Sequence, residues 1–186
     1  MGTMRNSGFT TRPDLAQHFL RSRTVAQRLV DLADLHDEAV LEIGAGLGTL
    51  SRTVADQGNR IWAVERDERL SIPLNTALAP FADRATVVID DIRALDLDLL
   101  LPDGSVLLSV LPLDWHLALD LTTHVFTHST KLARGLVVVP HRAAELLAAG
   151  AWLAAGLKLE EVDGISRGEF WPEPSMPLRV VSIGRL

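Results

Sequence analysis

The stretch VLEIGAGLGTLS, residues 40–51, decides how the rest of the chain is read. It opens with an apolar run of strand length, AVLEIG (39–44), and sets Gly44, Gly46 and Gly48 at alternate positions before a helical pattern begins. Glycines there let the backbone turn sharply and lie against a ligand with no Cβ in the way. The spacing is G-x-G-x-G rather than the G-x-G-x-x-G of dinucleotide binders. The next strand, RIWAVE (60–65), ends in Glu65. An acid at the tip of the second strand is placed to accept hydrogen bonds from ribose hydroxyls.

Outward from this point, apolar runs alternate with helical patterns, the signature of βα units on a mostly parallel sheet. RTVAQRLVDLADL (23–35) carries Val25, Leu29, Leu32 and Leu35 at helical spacing. TLSRTVADQ (49–57), DWHLALDLTTHVF (114–126) and HRAAELLAAGAWLAAG (141–156) read as helices. RATVVID (84–90), SVLLSVL (105–111) and GLVVVP (135–140) read as strands, and LKLEEVD (157–163) and PLRVVSIG (177–184) as a final antiparallel pair flanking the loop 164–176. The expectation is an α/β, Rossmann-like, seven-stranded mostly parallel sheet flanked by helices in a single domain. With the last strand pattern reaching the end of the sequence, a second domain is not expected within these residues. Residues 1–22 form a head and entry segment, and 23–186 the cofactor-binding domain.

Composition narrows the function classes. With 186 residues, 47% hydrophobic and 23% charged, the chain has enough apolar content for a full core. No cysteine is present, so disulfides and thiolate metal sites are excluded. No run reaches the ~18 apolar residues of a membrane span, and the N-terminus lacks a signal-peptide core. Gly2 gives myristoylation little support, so a cytoplasmic protein is expected. The net charge of −6 argues against broad nonspecific nucleic-acid binding, which depends on Lys and Arg against phosphates. The head is locally basic, with Arg5, Arg12, Arg21, Arg23 and Arg28 against Asp14, and leaves RNA open as a partner. His124, His128 and His141 are scattered, and no metal site is expected.

Several segments together resemble the rRNA adenine N6-dimethyltransferase family of class I methyltransferases, which includes the erythromycin-resistance methylases. AQHFL (16–20) resembles the family's entry segment, VLEIGAGLGTLS its first motif, VIDDIRALDL (88–97) its third-strand end, and EFWPEPSMPLRVVSI (169–183) the approach to its last strand. The family's helical C-terminal domain is absent from the chain. The resemblance implies S-adenosyl-L-methionine as cofactor. Gln17, His18 and Leu20 would lie near its methionine end, Gly44 and Gly46 along methionine and ribose, and Glu65 on the ribose. Arg66 would cover the adenine, Asp91 would accept its N6 amine, and Ile92 would pack on the ring. Asp90 competes with Asp91 for that role, and a helix cap is the plainer reading of either.

The fourth-strand end departs from the family. Its members place N-[LIP]-P-[YF] there, an amide to hold the acceptor amine and an aromatic to stack on the base. This chain has Val110-Leu111-Pro112-Leu113. Ser109 counts with the cofactor-side residues, and Pro112 sets the register against its replacing the amide. Trp115 could offer an aromatic surface, and His116 or Asp114 a general base for another acceptor. The plainer reading makes Asp114 a helix cap and His116 a solvated residue. Val110, Pro112, Leu113, Trp115 and His116 are therefore the candidate acceptor-site residues. After the fifth strand, Pro140-His141-Arg142 replaces the family's Gln-Lys-Glu. An RNA methyltransferase with a rebuilt pocket, a methyltransferase for a small molecule and a non-catalytic binding module all remain open.

Overall fold

A computed structural model describes residues 10–148 and 156–185. Its elements in chain order are β1 (Phe19–Leu20), α1 (Arg23–Ala33), β2 (Val40–Ile43), α2 (Thr49–Asp56), β3 (Ile61–Glu65), α3 (Ser71–Leu78) and β4 (Ala85–Ile89). There follow α4 (Leu97–Leu100), β5 (Ser105–Val110), α5 (Trp115–His128), β6 (Leu132–Pro140), α6 (His141–Ala148), β7 (Leu157–Ile165), β8 (Phe170–Trp171) and β9 (Leu178–Arg185). The seven-stranded sheet has the order β4-β3-β2-β5-β6-β9-β7. Its first five strands run parallel, and β9 is antiparallel to both β6 and β7. The fold is Rossmann-like, as the alternation of strands and helices predicts.

Strand side chains point alternately to opposite faces, so each apolar strand feeds two cores. Leu41, Ile43, Leu107, Val137 and Val139 face α4, α5 and α6. Val40, Leu108, Leu136 and Val138 face α1 and α2, where Val25, Ala26, Leu29, Leu50 and Val54 meet them. Burying one such aliphatic side chain stabilises by about 1.5–3 kcal/mol. The Ser22 hydroxyl caps α1 by accepting from the Val25 amide at 3.2 Å.

The sequence reading left four elements out, among them the single turn α4, which Asp96 caps. Helix α3 has proline and asparagine inside it and no clean apolar period, yet Leu74 and Leu78 bury against Ala45 and Ala63. Strands β1 and β8 are two residues each and pair antiparallel, with Phe19 opposite Trp171 and Leu20 opposite Phe170. Part of the expected loop 164–176 is thus a strand, too short for any periodicity to show. The helix expected over 141–156 is seen as α6, and its continuation through 149–155 lies outside the described residues, as do Gly2 and Arg5. Among the described residues, no helix is long and apolar enough to cross a membrane.

Candidate active site

Strand order reverses at β2, whose neighbours β3 and β5 lead in opposite directions, and ligands of open α/β sheets bind at the carboxyl ends of such strands. A cleft of about 710 Å³, open to solvent, lies there. Its wall brings together Gln17, His18, Gly44, Gly46, Glu65, Arg66, Asp90, Asp91, Ile92, Val110 and Pro112, which are spread over the chain.

The glycine loop forms one side. Gly44 and Gly46 have φ of +71° and +58°, a region that L side chains rarely adopt. A Cβ on Gly46 would also stand 3.1 Å from the Phe19 ring, so only glycine lets the entry segment close over the loop. Glu65 ties the loop to the tip of β3. Its Oε2 accepts from the Gly46 amide and its Oε1 from the Asp67 amide, both at 2.8 Å. Burial pushes the Glu65 carboxyl above the usual carboxylate range. The Glu65 carboxyl also lines the cleft.

The entry segment is held at both ends. Gln17 accepts from the Arg12 amide at 2.8 Å and donates to Asp67 Oδ2 at 2.7 Å. His18 Nδ1 lies 2.7 Å from the Pro172 carbonyl, which can only accept, so in the neutral ring Nε2 is the acceptor. The Phe19 and Trp171 rings stack with centroids 6.2 Å apart. The segments AQHFL and EFWPEP, remote in sequence, therefore form one strap beside the cleft. Leu20 belongs to it, buried and facing a smaller recess behind the glycine loop.

The far end is ionic. Asp91 Oδ1 accepts from the Arg93 amide at 3.0 Å and from Arg93 Nε at 3.1 Å. Its Oδ2 accepts from Arg93 Nη2 at 2.8 Å, with Arg66 Nε at 3.4 Å. The Arg93 guanidinium holds the Asp91 carboxyl down to about 2. Asp91 also caps the short turn Ile92–Ala94, so both the capping role and the place in the cleft are real. Asp90 lines the cleft beside it, and its Oδ1 accepts from the Asp91 amide at 2.7 Å.

At the end of β5 the wall of the cleft is apolar. Val110, Leu111 and Pro112 face the cleft, joined by Leu117 and Leu121 of α5. Leu113 is 3% exposed and packs into the core under α1, its amide donating to the Ala16 carbonyl at 3.3 Å. It borders a wider opening of about 920 Å³ that shares Ala16, Gln17, His18 and Leu117 with the cleft. Trp115 and His116 do not line the cleft. Asp114 caps α5 by accepting from the Leu117 amide at 2.9 Å, and the helix then turns Trp115 onto the core and His116 into solvent. Ser109 is 1% exposed and donates to the Ile43 carbonyl at 2.6 Å, so it bonds β5 to β2 instead of facing the cleft.

Sequence reasoning missed Arg93, Asp67, Leu117 and Leu121. The leucine pair at i and i+4 after a capping aspartate was a visible signal, whereas the Asp67–Gln17 bond spans the sequence and had none.

Behind the loop, Glu42 is buried and accepts a hydrogen bond from the Ser51 hydroxyl. Burial, with Glu65 nearby, pushes its carboxyl up to about 8. Folding therefore takes up a proton between the unfolded value of 4.5 and about 8. The associated stability is complete below that lower value and is lost as pH rises through the upper one. Glu42→Gln keeps the acceptor for Ser51 and removes the titration. Thermal unfolding at pH 5 to 8.5 is expected to show the parent losing a few kcal/mol relative to this variant as pH rises. Parallel pH profiles would contradict the assignment.

Among the described residues, no group of three or more His, Asp or Glu is placed to hold a metal ion. The chain matches the family described as ribosomal RNA adenine dimethylase over residues 8–182. A ribosomal RNA small subunit methyltransferase A of Acidothermus cellulolyticus is 32% identical, with 97% of this chain and 66% of that protein covered. The chain spans about half to two-thirds of the length of the first curated relatives it matches. The fold is similar to that of the 23S rRNA methyltransferase ErmE, with a TM-score of 0.76 at 22% identity, covering 90% of this chain and 70% of ErmE. It is also similar to TrmK of M. capricolum, solved with S-adenosyl-homocysteine, with a TM-score of 0.63 at 11% identity, covering 85% and 67%. With its glycine loop, strand-tip glutamate and matching entry segment in one cleft, this chain belongs to the ribosomal RNA adenine dimethylase family.

Proposed function

We propose that the chain is an S-adenosylmethionine-dependent methyltransferase acting on a base in RNA in the cytoplasm. Residues 1–22 would serve as head and entry segment, and 23–186 as the cofactor-binding domain. The observation that carries this reading is the single cleft in which Glu65, the glycine loop, Ile92 and the Val110–Pro112 wall meet. Family membership and relatives named as ribosomal RNA methyltransferases support RNA as the substrate class.

The residues present fit the cofactor. A buried carboxylate lining the cleft suits a ribose diol, and Ile43, Val64 and Ile92 give an apolar floor for a base. Gly44 and Gly46 leave room for the methionine portion, with Gln17 and His18 at that end. Asp91 accepts the adenine amine once Arg66, its half-exposed and longest-range partner, moves aside. The bound cofactor supplies a methyl group on a sulfonium, which a nucleophile can attack. The chain contributes orientation and exclusion of water at the Val110–Pro112 wall, and the opening beside Leu113 admits the acceptor. No side chain on this wall can hold an exocyclic amine, so backbone carbonyls must do so. That same apolar wall favours, as a second reading, a small apolar acceptor.

Calorimetry with S-adenosylmethionine and S-adenosylhomocysteine tests the cofactor, and binding of both is expected. Incubation with methyl-labelled cofactor then separates acceptors. Label in ribosomal RNA supports the proposal, label only in the small-molecule fraction supports the second reading, and binding without transfer overturns both.

A further inference from the structure

The chain has more acids than bases, 24 against 18, so most arginines find a carboxylate. Arg12, Arg28, Arg66, Arg69, Arg84, Arg93, Arg134, Arg142, Arg167 and Arg179 each pair with one. Arg185 donates to backbone carbonyls, and Arg60 lies over the Trp62 ring. Arg21, Arg23 and Arg52 are different. All are exposed, and none makes a side-chain ion pair or hydrogen bond among the described residues. They line one groove between α1 and α2, enclosing about 820 Å³ of space open to solvent, where Asp56 is the lone acid.

Unneutralised like charges around a concave surface raise the local positive potential and attract polyanions. Guanidinium groups match phosphate oxygens in geometry as well as charge. The groove also leads to the active site. Leu47 and Thr49 line both the groove and the recess behind the glycine loop, and that recess shares His18, Phe19, Gly44, Gly46 and Val110 with the cleft. Strand β1 runs from the cleft directly to Arg21.

We infer that the Arg21–Arg23–Arg52 groove holds the phosphodiester backbone of the RNA whose base enters the cleft. This rests on the reading of RNA as substrate. Phosphate contacts of this kind position a substrate without reading its sequence.

The test uses a fluorescein-labelled RNA hairpin with unpaired adenosines in its loop, titrated by anisotropy at several KCl concentrations. The variant R21Q/R23Q/R52Q alters exposed side chains only. It is expected to bind about 10- to 100-fold more weakly near 0.1 M salt, with the slope of log affinity against log salt reduced by about 2. A control, R60Q/R84Q/K158Q, removes the same charge. Arg60 and Arg84 precede β3 and β4 and Lys158 opens β7 beside Gly184, all at the sheet end opposite the cleft, and this variant is expected to bind within about twofold of the parent. S-adenosylhomocysteine affinity is expected to be unchanged in both variants. Parental affinity and slope in the groove variant, or an equal loss in the control, would overturn the groove while leaving RNA as substrate. A parent chain that binds no RNA even at low salt would overturn both.

Discussion

Glu65→Ala is expected to lower S-adenosylmethionine affinity by about 100- to 10,000-fold. Two ribose hydroxyls donating to a buried carboxylate contribute about 1.5–3 kcal/mol each, and each 1.4 kcal/mol is a factor of ten. The structure adds a second cause. Glu65 also accepts from the Gly46 and Asp67 amides, so its removal frees the glycine loop as well as the ribose. Glu65→Gln separates these roles in part. Its amide oxygen satisfies one backbone N–H, while its NH₂ group faces the other, so its affinity is expected to fall between alanine and parent. The freed Gly46 amide borders an open cleft and can bond to water, so unfolding temperature is expected to change less than affinity. Calorimetry and thermal melts on the three proteins check this. Affinity within threefold of the parent would show that the ribose is held elsewhere.

Val110→Asn is expected to raise methyl transfer to adenine N6 by about 100-fold, the scale on which one positioned hydrogen bond acts at a reacting centre. The exocyclic nitrogen is a poor nucleophile because its lone pair is delocalised into the ring. An amide oxygen accepting its N–H favours the pyramidal, reactive form. Val110 faces the cleft, so asparagine there puts its polar end in the site and not in the core. Leu113 is a worse place to restore the family pattern. It is 3% exposed under α1, and a tyrosine ring would overpack the core at a cost of about 1–3 kcal/mol. Transfer from methyl-labelled cofactor into RNA, followed by digestion and chromatography for N6-methylated adenosine, measures the gain. Unchanged or reduced N6 methylation, with cofactor affinity intact, would show that the parent already holds the amine by another route.

Much of the fold was legible because its signals are local. The apolar strands 39–44, 60–65, 84–90 and 105–111 announce themselves by composition, and the glycine loop by spacing. What failed was also local in origin. Strands β1 and β8 hold only because they hold each other, and neither carries a pattern of its own. Trp115 and His116 looked useful because they follow the acceptor loop directly. A capped helix nevertheless turns consecutive residues by about 100° each, and Leu117 and Leu121 face the cleft in their place.

Residue identity alone therefore determined the βα order, the glycine loop, the strand-tip acid and the loss of the acceptor amide, since each depends on side-chain type or spacing within a few residues. Tertiary structure decided which of these face one another. It spent Ser109 on the Ile43 carbonyl, engaged Asp91 with Arg93 and Arg66, and closed Phe19 over Gly46. Among the described residues it also left the side chains of Arg21, Arg23 and Arg52 together in one groove without an ion pair or hydrogen bond. These outcomes depend on contacts between segments remote in sequence or on the direction a short turn gives a side chain. Neither is encoded in the spacing of any one stretch.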